Sequence, residues 1–135
     1  MNSSTSTSEY MLLFRGPEWD KGLAAEELEQ LMGRVTAWFE NLERAGKVKA
    51  GQPLAGEGRT IHAAKRGAVA DGPFAESKEA VGGYLILHAD DLDEAVAVAK
   101  TCPTVPYGIS IEVRPVLDEC PVFKRVREQL AHAAA

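Results

Sequence analysis

The chain is poor in the residues that build metal centres and disulfide scaffolds. It has two cysteines, Cys102 and Cys120, and three histidines, His62, His88 and His132. The cysteines form no metal-ligand spacing, and they do not suggest a disulfide framework. A zinc-type site takes three or four converging ligands, and no such cluster stands in the sequence. No metal and no cofactor is therefore expected. No apolar run reaches the ~18 residues that a membrane span needs. No basic start leads into an apolar stretch, so no signal peptide is expected and a cytoplasmic location is. Basic residues are also in the minority. Lys and Arg total 15 against 20 Asp and Glu, a net charge of −5 with a pI near 5.2. A nucleic-acid binder would carry a basic stripe, and this balance argues against one. Gly51, Gly56 and Gly58 lack the following Gly-Lys-Ser/Thr of a phosphate loop.

What the chain does have is a core. It is 135 residues long and 45% hydrophobic, enough for one domain that buries roughly 68% of its unfolded surface. Residues 1–8 are nearly all Ser, Thr and Asn and read as a disordered tail. Residues 9–131 read as the single domain and 132–135 as a frayed end.

Tyr10-Met11-Leu12-Leu13-Phe14 has the length of a buried strand, closed by Gly16-Pro17. From Leu23 the period changes. Leu28, Leu31, Met32, Val35, Trp38 or Phe39, and Leu42 recur three and four apart and predict a helix ending at Ala45-Gly46. Residues 51–58 read as a Gly/Pro-rich loop. Arg59–Ala63 and Ala68–Ala70 read as a hairpin across Lys65-Arg66-Gly67. Glu76–Val81 has room for one helical turn. Tyr84–His88 is another buried-type strand, and Asp91 with Glu94 has capping-box spacing ahead of a second helix. Ile109–Arg114 alternates as a half-buried strand, and Pro121 opens a last helix with Phe123, Val126 and Leu130 inward.

With one strand of the hairpin set aside, the order is β-α-β-β-α-β, an α+β ferredoxin-like unit with an inserted hairpin and a C-terminal helix. Strands 10–14 and 84–87 are apolar on both faces. Helices cover one face only, so the other calls for a cover. A second copy of the same sheet in a two-fold dimer supplies one.

Asp71-Gly72-Pro73-Phe74-Ala75-Glu76-Ser77-Lys78-Glu79, followed by Gly82-Gly83-Tyr84, closely resembles the signature of the DGPF proteins, a branch of the YCII-related family. The likeness extends to Tyr10–Leu13, Arg44-Ala45-Gly46, Asp91–Ala95, Cys102-Pro103 and Ile111–Val116. It implies a dimeric α/β barrel of ferredoxin-like subunits, a bacterial origin, and a regulatory or accessory role beside extracytoplasmic-function sigma factors. The YCII branch carries a His–Asp pair with the His early in the first helix. Residues 20–46 contain no His, and Gly33-Arg34-Val35-Thr36 occupies that region, so activity resting on that dyad does not carry over.

Five residues are candidates to line a ligand cleft between the sheets: Arg59, Asp71, Phe74, Glu112 and Arg114. Glu112 and Arg114 stand two apart on a strand and share a face. There Arg114 would hold a carboxylate or phosphate, or pair with Glu112 at the interface. Asp71–Phe74 is either a turn with a core plug or a loop closing over the ligand. Catalytic candidates are Glu112, Asp71 and His88, each with a structural alternative. Lys78 is an anion ligand or a solvated surface charge. The expected function is a homodimer that binds a small, anionic molecule. The alternatives are an enzyme doing acid–base chemistry on a small acid and a protein-interaction accessory to sigma-factor regulation.

Overall fold

A computed structural model describes residues 8–16, 18–62, 68–71 and 80–134. The elements run β1 (Glu9–Arg15), α1 (Ala25–Arg44), β2 (Val48–Pro53), β3 (Arg59–His62), β4 (Ala68–Asp71), β5 (Val81–His88), α2 (Leu92–Lys100), a single 3-10 turn (Val105–Tyr107), β6 (Ser110–Pro115) and α3 (Pro121–Ala134). Four strands form one antiparallel open sheet in the order β2-β5-β1-β6. This mixed α/β arrangement is consistent with the ferredoxin-like unit expected above. Among the described residues, β3 and β4 pair with each other as a two-stranded ribbon.

Alternation along the strands sorts their side chains. In the β1–β5 ladder Tyr10 faces Leu87 and Leu12 faces Leu85; on the β6 side Leu12 faces Val113 and Phe14 faces Ile111. These residues meet the helices. Leu12, Leu31, Leu85 and Leu87 are fully buried, and Trp38, Phe39 and Leu42 of α1 pack against the cluster that Leu12, Leu85 and Leu87 form with Ala99. α2 brings Ala95 and Ala99, whose small side chains let it approach the sheet beside Tyr10 and Val113. The helices are also stitched together. Trp38 Nε1 donates to Thr101 Oγ1 at 2.7 Å, and that hydroxyl donates to the Val98 carbonyl at 2.6 Å. Asp91 caps α2 by accepting from the Glu94 amide at 2.8 Å, and Glu94 Oε1 accepts in return from the Asp90 amide at 3.2 Å. Such a cap is worth about 1 kcal/mol. Gly46, just beyond α1, has φ 72°, the left-handed stop anticipated there.

Three expectations are corrected. The second strand of the split unit is Val48–Pro53, not a strand of the hairpin. Its sequence, Val-Lys-Ala-Gly-Gln-Pro, lacks alternation because it is an edge strand whose place is set by pairing with β5. Lys49 is the extra residue of a bulge, and Pro53 ends the strand, where its missing N–H costs nothing. Gly51 permits the close approach: a Cβ there would stand 2.9 Å from the Tyr84 carbonyl oxygen. Second, β5 starts at Val81 and takes in Gly82 and Gly83, so Val81 is strand and not helical turn. Third, α3 does not turn its apolar stripe inward. All its described side chains are exposed, Phe123 at 72% and Leu130 at 66%. The 3.6-residue period defines a stripe but not what covers it. Arg127 bonds Glu119 ahead of α3 and holds that carboxyl below its usual range. Because Leu130 contributes little to the core, Leu130→Ser should change the unfolding free energy by less than about 0.5 kcal/mol. Urea titration monitored by circular dichroism measures this; a loss above about 1.5 kcal/mol would mean that α3 packs inward after all.

β1 is tied at its start, where the Ser8 carbonyl accepts from the Ala89 amide at 2.9 Å. α3 runs through Ala134. No helix of the described residues is long and apolar enough to cross a membrane.

Candidate functional site

The sheet has two faces, and each offers a site. On the face away from α1 and α2, the β1–β5 register sets Met11 beside Ile86 and Leu13 beside Tyr84. All four side chains are half-buried. Beyond them lie Glu112, opposite Leu13, and Arg114, opposite Met11, on the β6 edge; Gln52 stands opposite Tyr84 on the β2 edge. An apolar strip therefore crosses the middle of the face, with polar groups on both flanks.

Those polar groups are unevenly matched. Arg15 Nη2 donates to Glu112 Oε1 at 3.0 Å. Arg114 Nε lies 3.9 Å from Glu112 Oε2, beyond hydrogen-bond length, and its side chain is 69% exposed. At the other end of the face Lys49 Nζ donates to Glu9 Oε2 at 2.8 Å, in the row where Glu9 faces His88. Among the described residues, three cations, Arg15, Lys49 and Arg114, thus meet two carboxylates, Glu9 and Glu112. On a chain of net charge −5 this face is biased positive, and Arg114 holds the least-committed charge. Arg15 is the residue that sequence reading missed. The expected strand stopped at Phe14, yet the alternation Met11, Leu13, Arg15 carries straight onto this face.

The second site lies between the sheet and α1. A cleft of about 730 Å³ opens there, lined by Phe14, Val35, Phe39, Leu85 and Ile109 among others. Its origin is an absence of side chains. Gly51 and Gly83 occupy positions on the helix-facing side, in register with Leu85 and Phe14, and neither can fill the space below α1. Their backbones sit too close to the neighbouring strand for a Cβ: one on Gly83 would stand 3.1 Å from the Gln52 carbonyl oxygen. At the mouth, Glu18 has φ 64° and Gly16 has φ 121°. Gly16 is pressed against the Gly108 carbonyl, 2.7 Å from where a Cβ would stand, which fixes the β1–α1 loop to the turn before β6. Buried Cys102 and Thr104 also line the cleft, their Sγ and Oγ1 3.2 Å apart.

Of the residues expected to form one cleft, Glu112 and Arg114 come together with Arg15 on the open face. Arg59 belongs to the two-stranded ribbon, where it stands opposite Asp71, and its Nη1 donates to the Gly58 carbonyl at 3.2 Å. The Asp71 side chain, Phe74 and Lys78 lie outside the described residues. His88 closes β5, exposed, one row beyond Arg114. Among the described residues no group of three or more His, Cys, Asp or Glu is placed to hold a metal ion.

A four-stranded antiparallel sheet with two helices on one face and a charged, partly apolar opposite face makes a small mixed α/β protein, consistent with a ferredoxin-like fold. Comparison with known proteins is narrower. The YCII-related domain matches residues 20–119. An uncharacterized protein of Rhizobium meliloti (strain 1021) is 34% identical over 102 residues, which is 73% of this chain and 79% of that protein. The chain belongs to the YCII-related family.

Proposed function

We propose that the protein works as a homodimer that holds a small anion between two facing sheets, with Arg114 as the anchor. The observation that carries this reading is the unequal pairing on the open face: Glu112 is taken by Arg15 at 3.0 Å, while Arg114 stays 3.9 Å away and largely exposed. The apolar strip of Met11, Leu13, Tyr84 and Ile86 supports the dimer. α1 and α2 lie on the opposite side, and α3 leaves its described side chains exposed. A second copy applied about a two-fold axis sets strip on strip and adds a second Arg114 to the site. Partial desolvation between the sheets strengthens each guanidinium–anion contact. The Asp71–Glu79 motif with Gly82-Gly83-Tyr84 supports a place in the DGPF branch, and with it a bacterial origin.

The test is calorimetric titration with inorganic phosphate and with succinate. Arg114→Ala should weaken binding by about tenfold, the worth of a charge-assisted hydrogen bond, with the oligomeric mass unchanged. Arg114→Lys should recover only part of it, since the bidentate fork is gone. Equal affinity in wild type and Arg114→Ala would remove Arg114 from the site. A second reading, a protein-interaction accessory, is supported by the exposed stripe Val122, Phe123, Val126 and Leu130 on α3. It gains ground if neither anion binds.

A further inference from the structure

We infer that the cleft between α1 and the sheet is a second ligand site, one that takes an apolar molecule bearing a single positive charge. The inference stands apart from the anion reading, because it turns on Glu43, Val35 and Phe39, which take no part in the proposed anion site.

The body of the cleft sets the apolar part. Phe14, Val35, Phe39, Leu85 and Ile109 line it, and about 730 Å³ is ample for a ring with a short chain. Phe39 is held edge-on to Trp38, with ring centroids 5.0 Å apart, so a wall of the cleft is a fixed aromatic surface.

The charge comes from the mouth. Among the described residues, four charged ones line the cleft: Arg15, Glu18, Glu43 and Lys49. Three have partners directed elsewhere. Arg15 bonds Glu112, Lys49 bonds Glu9, and Glu18 accepts from Lys21. Glu43 has no ion pair or hydrogen bond from its side chain among the described residues. It follows Val35 and Phe39 at intervals of four, so it continues the helix face that lines the cleft. It also sits in the last turn of α1 (Ala25–Arg44), where the helix dipole adds negative potential to its own charge. Arg44 beside it does not line the cleft. An unbalanced carboxylate and a helix C-terminus together favour a cation over an anion.

The experiment compares three probes of one shape by isothermal titration: 4-phenylbutylammonium, 4-phenylbutan-1-ol and 4-phenylbutanoate. The expected order is ammonium tightest and carboxylate weakest. Glu43→Gln, at an exposed position, should lower ammonium affinity by roughly fivefold, the upper range for a solvent-facing ion pair, and leave the alcohol unchanged. Val35→Phe should weaken all three by filling the cleft. Inorganic phosphate should not compete. Equal affinities for the three probes, or a preference for the carboxylate, would overturn the assigned charge. No saturable binding of any of them, or binding indifferent to Val35→Phe, would overturn the site itself.

Discussion

Ile86→Lys should split the proposed dimer into monomers without unfolding the chain. Ile86 stands at the centre of the open face, paired with Met11 on β1 and Ala50 on β2. Its neighbours Leu85 and Leu87 point the other way and are buried in the core. A lysine at position 86 leaves that core untouched. Within a sheet-on-sheet interface, however, it forces an ammonium into an apolar strip, and the two-fold axis brings two of them. Burying an unpaired charge costs several kcal/mol per ion, so the dimer dissociation constant should rise by about a thousandfold or more. Analytical ultracentrifugation at micromolar concentration reads the mass, and circular dichroism reads the fold. A folded variant that keeps the wild-type dimer mass would place the interface elsewhere.

Leu12→Ala should be the most damaging single truncation in the core. Leu12 has no exposed surface, lies between Leu85 and Val113 in the ladder, and belongs to the cluster packed under α1. Removing its side chain costs the transfer free energy of the lost groups plus the cavity they leave, about 3 kcal/mol for a fully buried leucine. That is a large share of the 5–15 kcal/mol typical of a whole domain. Urea titration gives the difference directly. A loss below about 1 kcal/mol would mean that the sheet–helix layer is loose enough to close over the gap.

The elements that were legible in the sequence are those whose burial dictates their residues. β1 and β5 announce themselves as apolar runs, and α1 by its period, because both bury side chains against one another. β6 alternates because one of its faces meets helices and the other carries Glu112 and Arg114. β2 could not be read in this way. Val48–Pro53 is a strand because β5 offers it a partner and Gly51 lets it come close, not because its own residues prefer that state. The same limit applies to α3: its stripe was legible, but its exposure depends on what lies next to it. Of the candidate site, the shared face of Glu112 and Arg114 followed from a spacing of two. Arg15 follows from the same rule applied one step further along β1. The cleft under α1 left no mark in the sequence, since it arises from missing side chains at Gly51 and Gly83, and a pattern of apolar residues does not report a gap.

The proposed dimer requires the open face of the sheet to be an interface. The solution mass of the unmodified chain, by sedimentation equilibrium from about one to one hundred micromolar, tests it most directly. The expected result is a single species of twice the 14.6 kDa chain mass, held across that range. A species at the mass of one chain throughout would contradict it, and would leave Met11, Leu13, Tyr84 and Ile86 facing water.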